Sequence, residues 1–173
     1  MLKIAILGPE STGKSTLASQ LAEHFGTDYV PEYAREYLKD FKGLYKIDDV
    51  IKIAIGQQQW IDNAEANNPK ILIADTEMIV NKIWCEYVFH SVPQGINSLV
   101  ENQDFDLYLL CDIDLEWTYD PLRENPDLGE RKTIFAMYES ELKRLKANYC
   151  IINGQDQQRL QNAIDAIKQQ KIS

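Results

Sequence analysis

The residues best equipped for chemistry stand in one run near the N-terminus, Gly8-Pro9-Glu10-Ser11-Thr12-Gly13-Lys14-Ser15. They fit the pattern G-x-x-x-x-G-K-[ST]. Glycines let the backbone curl until successive N–H groups point at one anion. A helix opening at the motif's end adds its partial positive charge at the same place. Lys14 is expected to reach the β- and γ-phosphates of ATP as the catalytic cation, and the Ser15 hydroxyl is expected to ligate Mg²⁺. The plainer alternative, a glycine turn before an ordinary helix, does not account for the lysine and hydroxyl at these positions.

Two further carboxylates suit phosphoryl transfer. Asp75 ends the apolar run Ile71-Leu72-Ile73-Ala74, the Walker-B arrangement, in which the carboxylate holds Mg²⁺ or hydrogen-bonds an acceptor. Glu32 follows Asp28-Tyr29-Val30-Pro31. A hydroxyl acceptor needs a group that orients it and takes its proton, and both Glu32 and Asp75 qualify. Sequence does not rank them. Asp112 and Asp114 are placed similarly but read equally well as turn residues.

A polar stretch from Asp114 to Arg131, with Pro121, Pro126 and Gly129, reads as a lid. Arg123 and Arg131 within it could neutralise charge on the transferred phosphoryl group. Glu124 and Glu130 beside them offer solvated ion pairs instead, and for Arg131 the two readings weigh the same. Trp117 and Tyr119 could stack on a flat ring, with added attraction if that ring is cationic. Trp60 and Trp84 have apolar neighbours at helical spacing and read as core. The row Gln57-Gln58-Gln59 reads as helix surface, with one amide available to a ribose hydroxyl. His24 and His90 have no partner at metal-ligand spacing.

The elements that must position these groups alternate. Strands are expected at 2–7, 28–30, 70–75, 107–112 and 149–152. Helices are expected from the apolar spacing of Leu17, Ala18, Leu21, Ala22 and Phe25, then a short one from Glu32 to Tyr37. Next comes a long one capped by Asp48 or Asp49 and closed by Asn67-Asn68-Pro69. Three more run through Val80 to Val88, Ile134 to Leu145, and Leu160 to Ile167, and His90 to Gln94 is loop. Apolar strands alternating with helices make an α/β fold with a parallel sheet covered on both faces. Ligands bind outside the C-terminal strand ends of such sheets. The P-loop, Glu32, Asp75, Asp112, Asp114 and Asn153 all lie at such ends.

At 173 residues the chain suits a single domain, 1–173, with a lid at about 114–131. Its net charge of −9, from 18 basic and 27 acidic residues, argues against a nucleic-acid-coating surface. Cys85, Cys111 and Cys150 sit in apolar runs and read as reduced thiols. The first strand begins at once, so no signal peptide is expected, and no apolar run approaches the roughly 20 residues of a membrane span. A cytoplasmic protein without membrane or nucleic-acid partners is expected; oligomeric state is open.

These residues resemble the nicotinamide riboside kinase domain of bacterial NadR proteins and its stand-alone relatives. The matching pieces run Gly8 through Ala18, then Val30-Pro31-Glu32-Tyr33-Ala34-Arg35-Glu36-Tyr37, then Ile73-Ala74-Asp75-Thr76-Glu77, then Glu116-Trp117-Thr118-Tyr119-Asp120-Pro121-Leu122-Arg123. The resemblance implies a P-loop NTPase of nucleoside-kinase type, a three-layer α/β/α sandwich with sheet order 2-3-1-4-5. It implies ATP-dependent phosphorylation of nicotinamide riboside on its 5′-hydroxyl. Thr16 would join the ATP site, and Asn153 lies where such folds contact adenine. Tyr33, Arg35, Trp117, Tyr119 and Asp120 would join Glu32 and Asp75 around the substrate, with Trp117 on the pyridinium and Asp120 on the ribose or the charge. Pro121 departs from the glycine expected after Asp120. No His-x-Gly-His appears, so adenylyl transfer is not implied, nor is repression. A kinase for another nucleoside or nucleotide, or an ATP-binding regulatory module, stays open as an alternative.

Overall fold

The computed structural model describes residues 1–41, 43–119 and 127–170. Asp120 and Arg123, with Pro121 and Pro126, lie outside the described residues.

Five parallel strands form one sheet: β1 (Leu2–Leu7), β2 (Tyr29–Val30), β3 (Ile71–Asp75), β4 (Leu107–Cys111) and β5 (Tyr149–Ile152). Their order is β2-β3-β1-β4-β5, as the resemblance implied. Side chains alternate across the pleat, so β1 sends Ala5 and Leu7 to one face and Ile4 and Ile6 to the other. Against the Ile4 face pack α1 (Lys14–Phe25) and α7 (Asp156–Gln170). The Leu7 face is covered by α3 (Ile47–Ala66), α4 (Met78–Phe89), α5 (Gln94–Asn102) and α6 (Leu128–Arg144). A short α2 (Tyr33–Leu38) follows β2. Both faces are buried, which is why β4, and β3 as far as Ala74, run without alternating polar residues.

Register sets the site. Ile6 pairs with Asp75, and Val30 pairs with Ala74. The chain therefore leaves β1 at Gly8, β3 at Asp75 and β2 at Pro31-Glu32 on nearly one level.

Three local expectations need correction. α3 is not capped by Asp48 or Asp49 at its first position; Asp49 lies in the first turn and accepts the Lys46 N–H at 2.8 Å. α5 was not expected, although Ile96 and Val100 are its buried face at helical spacing. The polar stretch ends early, because α6 opens at Leu128, where the Asp127 carboxylate accepts the Glu130 N–H at 2.9 Å. Arg131 is thus a helix residue. That first turn has an exposed leucine, a glycine and a buried arginine, so it shows no apolar periodicity.

Candidate active site

Gly8 turns the chain out of β1 at φ 140°, where a Cβ would stand 2.8 Å from the Cys111 carbonyl oxygen. Only glycine fits there. Gly13, at φ 76°, hands the chain into α1, whose first turn has no acidic residue and no side-chain cap. Its N-terminal N–H groups are thereby left for an anion. Thr12 is buried, its hydroxyl donating to the Pro9 carbonyl at 2.8 Å. Lys14 folds over the loop and donates to the carbonyls of Gly8 and Pro9, both at 2.9 Å.

The two carboxylates meet different surroundings. Asp75 is 2% exposed, and its Oδ1 is buried with no hydrogen-bond partner. Burial pushes its pKa up to about 6 and the charge of Glu32 adds to the rise, against the Ser15 hydroxyl, Lys14 and Arg35. A buried carboxylate oxygen left over beside a serine hydroxyl fits a divalent cation. Glu32 instead faces open space, where its carboxylate accepts from Arg35 Nε at 3.1 Å.

That space is a cleft of about 390 Å³. One end is the whole P-loop from Gly8 to Thr16, and Glu32 and Arg35 form one side. The rest is mostly apolar and aromatic: Phe41, Leu44 and Tyr45 from the α2–α3 connection, Val50 and Ile53 from α3, Val80 and Trp84 from α4, and Ile134 and Tyr138 from α6, with Asn81 of α4 a polar exception. Trp84 Nε1 donates to the Tyr45 hydroxyl at 2.7 Å.

Other expected site residues are not brought into this cleft. Trp117 and Tyr119 contact each other edge to face, centroids 6.4 Å apart, on the loop after β4. That loop lies on the P-loop instead, with Leu115 against Gly13 and the Thr118 N–H donating to the Ser11 hydroxyl at 3.2 Å. Arg131 is buried and donates to the carbonyls of Ser11 at 3.4 Å and Leu115 at 3.3 Å. It ties α6 to both loops. Tyr33 packs its ring on Trp60, and its N–H goes to Gln57. Gln57 is itself buried, so its amide is not on the helix surface. Asn153, at the exposed end of edge strand β5, accepts from Asn162.

Sequence reasoning missed two participants. Trp84 packs on the core as expected but also lines the cleft, which spacing cannot separate from core. Arg159, on α7, is 5% exposed and pairs with Asp114. It also donates to the Ile152 carbonyl at 2.7 Å and the Gly154 carbonyl at 2.9 Å. Asp114 accepts the Gly154 N–H as well, at 2.6 Å, and so braces the β4 and β5 ends.

With this geometry in hand, the family model described as an AAA domain matches residues 3–159. The chain belongs to that AAA-domain family. Within it, this AAA domain is similar to the trifunctional NAD biosynthesis/regulator protein NadR of Salmonella typhimurium, 29% identical over 88% of the chain and 38% of that protein. The Escherichia coli NadR is likewise 29% identical, over 75% of the chain and 32% of that protein. A solved NadR protein in complex with NR superposes with a TM-score of 0.80 at 23% identity, covering 99% of this chain and 50% of that one. A thymidylate kinase from Ehrlichia chaffeensis superposes at 0.67 with 16% identity over 96% and 97%. The expected NadR resemblance and P-loop kinase fold are borne out. The chain spans about half or less of the length of the NadR proteins it matches. Among the described residues, no helix is long and apolar enough to cross a membrane.

Proposed function

We propose that the chain transfers the γ-phosphate of ATP to the 5′-hydroxyl of nicotinamide riboside, giving nicotinamide mononucleotide. The observation that carries this reading is one cleft in which the P-loop and Glu32 meet an aromatic wall of Trp84 and Tyr45. The similarity to NadR, and to a NadR protein solved with NR, supports nicotinamide riboside as acceptor.

The roles divide by surroundings. The P-loop N–H groups and Lys14 bind the phosphates, Lys14 turning from its own loop carbonyls to phosphate oxygens. Glu32, facing the cleft, orients the acceptor hydroxyl and takes its proton. The buried Oδ1 of Asp75 and the Ser15 hydroxyl would hold Mg²⁺, which supplies charge neutralisation at the phosphates. Trp84 and Tyr45 give the cationic nicotinamide ring a π-face. Trp117, Tyr119 and Asp120 are the competing support for that ring and its ribose. Arg131 keeps the P-loop and the loop after β4 in register, and Arg123 remains the proposed lid cation. Asn153 is proposed near adenine. The three unpaired cysteines suit a cytoplasmic site of action.

The test is ADP formation from ATP and Mg²⁺ with nicotinamide riboside, with ordinary nucleosides and with no acceptor. Turnover stimulated by nicotinamide riboside, with product mass raised by one phosphate, is expected. Stimulation by another nucleoside alone would favour the second reading, to which the thymidylate kinase likeness in fold lends weight. ATP binding without stimulation by any acceptor would point to a regulatory module.

A further inference from the structure

β2 is two residues long, lies at the sheet edge and pairs with β3 on one side only. So short a strand fixes the turn after it weakly, since few ladder bonds hold it. Glu32 stands on that turn as the N-cap residue of α2, and its side chain makes no capping hydrogen bond.

The turn is held from another element. Gln57 of α3 is 1% exposed, and both ends of its carboxamide go to backbone. Oε1 accepts the Tyr33 N–H at 2.7 Å, and Nε2 donates to the Pro31 carbonyl at 3.2 Å. Glu32 is the residue between those two groups. We propose that Gln57 is the positioning residue for Glu32, its amide clamping the peptide on either side so that the carboxylate faces the cleft.

Its helical neighbours serve the same turn. At Gly56 a Cβ would stand 2.2 Å from the Tyr33 ring, so glycine admits that ring against α3. Trp60, one turn on, meets the ring edge to face at 4.8 Å. An amide donates from its nitrogen and accepts at its oxygen; an ionised carboxylate only accepts, and a thioether does neither well. Misplacing a reacting group by about 1 Å costs on the order of 100-fold in rate.

This inference rests on the proposed kinase function, so unmodified protein is assayed first. If it shows no acceptor-stimulated turnover, the functional reading fails whatever Gln57 does. Given turnover, Gln57→Met should lower kcat with nicotinamide riboside about 10- to 100-fold. KM for ATP and acceptor-independent ATP hydrolysis should stay within about twofold, because the P-loop is untouched. Gln57→Glu adds a readout that general loosening would not give. Ionised, it repels the Pro31 carbonyl; protonated, it donates there and accepts from Tyr33 as the amide does. Its kcat relative to unmodified protein should therefore rise as pH is lowered, while that of Gln57→Met stays flat. Gly56→Ala should reproduce the kcat loss by displacing the Tyr33 ring. The proposal is overturned if Gln57→Met turns over at the unmodified rate, or if ATP binding falls as far as acceptor turnover. A flat pH ratio for Gln57→Glu would overturn it too.

Discussion

Trp84 Nε1 donates to the Tyr45 hydroxyl at 2.7 Å, joining α4 to the α2–α3 connection across the cleft. Both side chains line the space into which the P-loop and Glu32 open. Neither residue was marked by a motif; their pairing exists only after β3 carries α4 up beside α3.

That pair is expected to select the acceptor. Trp84→Ala should raise KM for nicotinamide riboside about tenfold, in line with a cation–π contact of roughly 1–2 kcal/mol. Tyr45→Phe should raise it less, through a looser Trp84. KM for ATP should stay constant in both. Trp117→Ala is the decisive comparison in steady-state kinetics: if it loses nicotinamide riboside selectively and Trp84→Ala does not, the ring rests on the loop after β4.

Glu32 and Asp75 should separate by magnesium titration. Glu32→Gln is expected to lower kcat about 10²- to 10⁴-fold, the usual worth of a general base, with the Mg²⁺ requirement unchanged. Asp75→Asn should instead raise the Mg²⁺ concentration needed for half-maximal rate, because the buried Oδ1 is the donor it alters. Equal Mg²⁺ dependence in both variants would contradict this division.

Glu77, fully buried at the start of α4, should make stability fall with rising pH. Its carboxylate accepts the Ile79 N–H at 2.7 Å, but burial dominates and pushes its pKa up to about 7. The folded state then binds the proton more tightly than the unfolded chain, whose Glu titrates near 4.5. That contribution is complete below about 4.5 and is lost as pH rises through 7. Glu77→Gln should accordingly gain in Tm relative to the unmodified protein between pH 5 and pH 8. A difference in Tm that does not change with pH would show that Glu77 does not titrate in this way.

Glu141 carries the opposite sign. Burial raises its pKa, but Arg144 and Lys82 outweigh burial and hold it below the usual carboxylate value. Stability from this pairing is present above the unfolded pKa and is lost as pH falls. Lys82 bonds it at 2.6 Å from α4, with both side chains largely buried. Lys82→Met should destabilise by about 1–2 kcal/mol in denaturant titrations, less than breaking an isolated buried pair because Arg144 still pairs with Glu141 at 2.8 Å. The loss should shrink in acid.

The sequence by itself determined the P-loop, the parallel sheet and the carboxylates at its strand ends. These are local: a glycine spacing, an apolar run and a residue just after it are all written in consecutive positions. The NadR resemblance supplied the strand order and the acceptor. Only the tertiary structure decided which groups share the cleft. It brought Trp84 in and left Trp117 outside, on a loop that lies against the P-loop, because helical spacing reports that a face is buried but not what it is buried against. It placed Gln57 inside, since one buried amide in a row of three reads as surface until the turn it holds lies beside it. It set Arg131 on a P-loop carbonyl 120 residues away in the chain and Arg159 on the carbonyl that ends β5. It separated Glu32 from Asp75 as well, because exposure and desolvation are properties of the packed chain and of no residue alone.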